Sequence, residues 1–169
     1  MTTAAKTQIH RQQFDADLDS FIDLVGDNLE GSEDLMRYHD QHGTPSLQVL
    51  TMYNRPAAGK AVEKIRREIE GKRVIEIGAG VGFLAMEMAR VARSVHAIEV
   101  DPAWSWVFTH SLIRHKPPNL TWIFGSAETV ADYLNGDIVV IATRSGIEEM
   151  RALGYRMAPK VLMLWQDQA

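Results

Sequence analysis

The chain changes character near residue 72. Before it, apolar residues recur every three or four positions; after it, short apolar runs alternate with helical patterns. In the first part, Phe14, Leu18, Phe21, Ile22, Val25 and Leu29 form one stripe at helical spacing, opposite Asp15, Asp17, Asp19, Asp23 and Asp27. Gly31-Ser32 ends that helix. Thr44-Pro45 reads as the start of the next, running through Leu47, Leu50 and Tyr53. Asn54-Arg55-Pro56 breaks the pattern, and a further helix carries Ala58, Ala61, Val62, Ile65 and Ile69 before Gly71 stops it. Beyond residue 72 the apolar runs are strand-like: Val74, Ile75 and Ile77, then Val95 to Val100, Leu120 to Phe124, Asp137 to Ala142 and Lys160 to Trp165. Helical patterns separate them at Phe83 to Arg93, at Pro102 to about His115 (Trp104, Val107, Phe108, Leu112), and at Ile147, Met150 and Leu153, with Gly154 near the end. Strands alternating with helices predict a doubly wound α/β domain with a parallel sheet.

Length and composition narrow this little. The 169 residues suit one domain, with residues 1–13 a flexible start, 14–71 a helical segment and 72–169 the α/β core. Cysteine is absent, which excludes a disulfide framework and a thiolate metal site. No apolar run approaches membrane-spanning length and the first residues lack a signal-peptide core, so the cytoplasm is expected and no membrane partner. The net charge of −4 disfavours a protein that grips nucleic acid through its phosphates. One exposed helix face, with Lys60, Lys64, Arg66 and Arg67, is basic, and a solvated face is its simplest reading. His39 and His42 in YHDQHG have a spacing that two metal ligands can use, but no third ligand follows at a recognisable distance, and a polar loop is the better reading.

The candidate chemistry sits in RVIEIGAGVG, Arg73 to Gly82. A buried strand carries a carboxylate, Glu76, which is costly without a cationic or donor partner. Gly78, Gly80 and Gly82 then permit positive φ and close approach of backbone to a ligand. A dinucleotide fingerprint, GxGxxG, would need its third glycine at Phe83. The next strand ends in Glu99, a carboxylate suited to two ribose hydroxyls. Asp101-Pro102 reads instead as a helix cap followed by proline at the first helical position.

Acid, alternating glycines, helix and a second acid at the next strand end together resemble the first motif region of class I S-adenosylmethionine-dependent methyltransferases, over about residues 72 to 165. The resemblance implies a Rossmann-like sheet of five strands in the order 3-2-1-4-5, with S-adenosylmethionine as cofactor. It places Glu76, Gly78, Ala79, Gly80 and Gly82 against the methionine and sugar portions and Glu99 and Val100 at the ribose and base. Tyr53 and Arg55 fall on a segment that in the family closes over the methionine end. Ser126 and Ala127 stand where the family commonly has Gly-Asp-Ala, with Ser126 in place of the acid that receives the adenine amino group. Trp104 and Trp106 can stack on adenine, although tryptophan at helical spacing is more often core.

Thr143 follows the fourth strand, at the end that in the family faces the transferred methyl. There, Ala142 to Ser145 reads ATRS, not the Asp/Asn-Pro-Pro-aromatic tetrad of amino-methylating enzymes, and no catalytic residue is assigned. Thr143, Arg144 and Tyr53 are positional candidates only. The family usually continues into a helix and an antiparallel hairpin, so the chain reads as a short form. Its acceptor half is then reduced, supplied by residues 14 to 56, or supplied by a partner. The expected activity is methyl transfer to an unidentified acceptor; the alternative is an S-adenosylmethionine-binding sensor or partner subunit. The apolar edge strand at 161–165, VLMLW, also invites a homodimer.

Overall fold

A computed structural model gives the fold, and it describes residues 55–101, 105, 108, 109, 113–142 and 146–164. Helix α1, Arg55–Ile69, leads into β1, Arg73–Ile77. There follow α2, Phe83–Met88; β2, Ser94–Glu99; β3, Leu120–Phe124; the short α3, Ala127–Val130; β4, Ile138–Ile141; α4, Ile147–Met157; and β5, Val161–Met163. The five strands form one sheet in the order β3-β2-β1-β4-β5. Every pairing is parallel, with Ile77 level with Ile98 and Ile141, and Glu99 level with Phe124. This is the strand order expected from the sequence.

Side-chain alternation along the strands divides the interior into two layers. Val74, Val95, Ala97, Leu120 and Val140 pack with Ala58, Ala61, Val62 and Ile69 of α1 and with the apolar residues of α2. Ile75, Ile77, Ile98, Val139 and Ile141 face the other way, onto Ala127, Ala131, Met157 and Ala158. The central strands are therefore apolar on both faces, as a parallel sheet covered by helices requires. Glu76 and Glu99 are the ionisable residues of β1 and β2 that lie fully inside.

Several expected boundaries move. The helix expected to reach Arg93 ends at Met88. Residues 90 and 91 switch to tighter bonds, Arg90 N–H to Glu87 O and Val91 N–H to Met88 O, and the Asn119 amide takes the carbonyls of Ala89 and Ala92. The last strand spans only Val161–Met163, each residue half-buried, rather than residues 160 to 165. The face of α1 expected to be basic is mixed. Arg66 pairs with Glu63 and Glu70, and Glu68 pairs with Lys160. Of the four cations on this face, Arg66 is the one that ion pairs among the described residues occupy, in keeping with a largely solvated face. The acidic helix expected at residues 14–29 and the histidines of YHDQHG lie outside the described residues.

Candidate functional site

The carboxyl edge of β1, β2, β3 and β4 gathers most of the expected residues. Parallel register sets their depth, and four backbone bonds join the strand ends. The N–H groups of Gly78 and Ala79 donate to the carbonyl of Ile98, at 3.0 and 3.1 Å. Gly125 N–H donates to Glu99 O at 2.9 Å, and Ala142 N–H to Ile77 O at 3.1 Å. The ends of all four strands thus meet around the Gly78–Gly82 turn. In a doubly wound sheet, this edge at the point where strand order reverses is the ordinary ligand crevice.

The turn needs its glycines. Gly78, Gly80 and Gly82 have φ of 77°, 57° and 92°, values that L side chains rarely adopt. At Gly82 packing adds a second reason. A Cβ there would lie 2.7 Å from Phe108 Cδ2 and 3.0 Å from Trp122 Cζ3. Those rings stack with centroids 3.9 Å apart and an interplanar angle of 10°. The stack was not legible in the sequence, because Phe108 and Trp122 come from different helical and strand patterns with no spacing that links them.

The glycines and Ala79 of the turn do not hold out a row of free N–H groups. Gly78, Ala79, Gly80 and Gly82 all donate within the protein, the last to Ala79 O at 2.9 Å. A pyrophosphate needs such donors unspent at the start of a helix. The dinucleotide reading loses support here, as it did at Phe83.

Glu99 is the hub of the edge. Its Oε2 accepts from Gly80 N–H at 2.6 Å and its Oε1 accepts from Asp101 N–H at 2.7 Å. One carboxylate therefore pins the glycine turn to the end of β2 and starts the segment that follows. The N–H of Val100 also bonds this carboxylate, and with about four lone-pair sites on the two oxygens there is room for a further donor. Burial pushes the Glu99 carboxyl up from its usual value, against the pull of the N–H groups of Asp101 and Gly80. Asp101 is exposed, and its carbonyl accepts Ser105 N–H at 3.1 Å, the first bond expected of a helix-capping position.

Glu76 has no such compensation. It is 1% exposed, flanked in register by Ala97 and Val140, and neither carboxylate oxygen has a hydrogen-bond partner among the described residues. Burial, and then the negative charge of Glu99, push its carboxyl up to about 8. A carboxyl buried in this way without a partner among the described residues is costly, and Glu76 lies two residues before the glycine turn at the carboxyl edge of the sheet.

The remaining candidates divide in two. Val100 is exposed just beyond β2. Ser126 caps α3, its Oγ accepting Glu128 N–H at 3.2 Å, with Ala127 buried beneath. Both lie at the same edge as Glu99. Tyr53, Trp104, Trp106, Thr143 and Arg144 lie outside the described residues, and Arg55 is described only as the first residue of α1. Among the described residues no cluster of His, Asp and Glu is placed to hold a metal ion.

The sheet order, the glycine turn and the acid at the end of β2 define the fold of the class I, Rossmann-like S-adenosylmethionine-dependent methyltransferases. Solved structures agree. The O-methyltransferase TomG of Streptomyces achromogenes, involved in tomaymycin synthesis and solved in complex with S-adenosylmethionine, superposes with a TM-score of 0.53 at 17% identity, over 71% of this chain and 56% of that one. Precorrin 8W decarboxylase from Methanobacterium thermoautotrophicum gives 0.50 at 20% identity, over 59% and 55%. At such identities the likeness is one of fold. No protein-family model matches the chain. In sequence, 57 residues are 37% identical to a probable ribosomal RNA small subunit methyltransferase A of Pyrobaculum islandicum, covering 34% of this chain and 23% of that protein. A protein of the same name from Methanosphaera stadtmanae is 37% identical over 71 residues, 42% of this chain and 26% of that one. The match thus spans about a quarter of each of these relatives.

Proposed function

We propose that this protein binds S-adenosylmethionine at the Gly78–Gly82 turn and transfers its methyl group to an acceptor. The observation that carries this is Glu76: a fully buried carboxyl without a partner among the described residues, two residues before a turn that Glu99 ties to the next strand. The cationic methionine end of the cofactor supplies the partner that Glu76 lacks. Glu99 has room left to accept from the ribose. Val100, Ser126 and Ala127 are assigned to the base, and Tyr53, Arg55 and Thr143 to the methionine end and the acceptor side. The chemistry when the cofactor is bound is displacement at its sulfonium methyl. The protein's part is alignment of donor and acceptor and exclusion of water.

RNA is the first acceptor to try, because the two relatives with sequence similarity are named for ribosomal RNA. The net charge of −4 runs against a broad phosphate grip, so the contact would be local. A second reading, cofactor binding without transfer, is favoured by the ATRS sequence at residues 142–145, which offers no assigned catalytic group. Titration calorimetry with S-adenosylmethionine, on the wild type and on Gly80→Val, tests binding. The variant loses affinity if the site is right, and unchanged affinity refutes it. Transfer of labelled methyl to ribosomal RNA separates the two readings.

Two further proposals concern the cell and the assembly. We place the protein in the cytoplasm; among the described residues no helix is long and apolar enough to cross a membrane. A homodimer through residues 161–165 rests on β5, which among the described residues pairs only with β4. Sedimentation equilibrium of wild type and Met163→Lys decides it, and a wild type that stays monomeric at high micromolar concentration removes the dimer.

A further inference from the structure

Glu76 supports more than a location for the cofactor. On its face of the sheet the neighbours in register are Ala97 and Val140, and the layer above is Ala58, Ala61 and Val62 of α1 with the apolar residues of α2. The charged group acting on it is Glu99 of β2, which is anionic and already tied to Gly80 and Asp101. A carboxylate in such a place has no hydrogen-bond donor or cation beside it among the described residues, and its neighbour repels it. The cheap state of such a group is the neutral acid.

Resting on the reading that S-adenosylmethionine binds here, we propose that Glu76 is a proton-exchanging anchor, neutral in the free protein and ionised when the cofactor's cationic methionine end lies against it. Binding near neutral pH then releases a proton. The O–H bond of the Glu76 carboxyl breaks, the electron pair stays on the carboxylate, and the proton passes to the buffer. No oxidant or co-reactant is needed. The raised carboxyl value agrees with this order of events. A consequence is selectivity: ligands with the amino-acid end gain an ion pair from Glu76, and ligands without it must bind over a neutral acid. Affinity for the amino-acid-bearing ligand also rises with pH, by up to about tenfold per unit below the carboxyl's own midpoint.

The test is titration calorimetry of the full chain at pH 7 in two buffers of different ionisation enthalpy. The probes are S-adenosylmethionine and 5′-methylthioadenosine, which has the nucleoside but not the amino-acid end. The expected result is release of close to one proton with the first and none with the second. Glu76→Gln should bind S-adenosylmethionine more weakly and release none. Should that variant fail to fold, the wild-type affinity between pH 5.5 and 7 gives the same answer. Binding with buffer-independent enthalpy and a flat pH profile overturns the proton exchange and leaves the cofactor reading standing. Equal proton release by both ligands, or by Glu76→Gln, moves the exchange to another group and also overturns it. No binding of S-adenosylmethionine in any buffer removes both readings together.

Discussion

Replacing Glu76 with glutamine should stabilise the free protein, and more so as pH rises. The native carboxyl is raised from 4.5 to about 8 by burial and by Glu99. Between those values the folded state keeps a proton that the unfolded chain has released. The unfolded state binds fewer protons, so stability falls with rising pH, the reverse of the usual carboxylate. Below 4.5 both states are protonated and the residue is neutral to stability; above 8 the whole penalty is present. At roughly 1.4 kcal/mol per unit, the penalty reaches a ceiling on the order of 4–5 kcal/mol. Glutamine keeps the shape and never ionises, so it escapes that loss. The two proteins should melt close together near pH 4.5, and the variant should lead by about 10 °C at pH 8, using roughly 2–4 °C per kcal/mol for a chain of this size. Thermal melts followed by circular dichroism at half-unit pH steps, without ligand, provide the comparison. The other titrating groups are common to both proteins, so the widening gap belongs to Glu76 together with Glu99, whose charge is coupled to it. A gap that stays constant from pH 4.5 to 8 refutes the argument, because it means Glu76 does not change its protonation on folding.

Three other outcomes follow from particular contacts. Gly82→Ala should cost roughly 2–4 kcal/mol in denaturant unfolding, from positive φ and from a methyl forced against Phe108; a loss under 1 kcal/mol would mean that the stack moves aside freely. Glu99→Ala strips acceptors from the N–H groups of Gly80 and Asp101 and should cost roughly 2–4 kcal/mol of stability even without ligand; an unchanged denaturation midpoint would show that the tether is dispensable. Asp137 is held down to about 2 by the Arg73 side chain and then by the Arg73 N–H, so its contribution is present above the ordinary value and lost as pH falls through about 2. Asp137→Asn should therefore flatten the acid limb of the stability curve between pH 4 and 2, and an unaltered limb assigns acid unfolding to other groups.

The strand order came with the family resemblance, and the sequence alone determined the strands and the glycine turn. Those features depend on local chemistry: buried strands show as runs such as Val74, Ile75 and Ile77, and a turn at positive φ shows as Gly78, Gly80 and Gly82. Glu76 was conspicuous because a carboxylate has no local reason to interrupt an apolar strand. The tertiary structure decided what each of those residues does. That Glu99 accepts from Gly80 and Asp101, while Glu76 has no partner among the described residues, depends on two acids from different strands meeting in one layer. That the turn's N–H groups point inward depends on Ile98, twenty residues further along the chain from Gly78. Helix ends were least legible, since the stop at Met88 is shared with the amide of Asn119, thirty residues beyond Ala89. Spacing along a chain records which face a residue will take; it holds no record of the distant group that will meet it there, and hydrogen bonding and burial are set by that meeting.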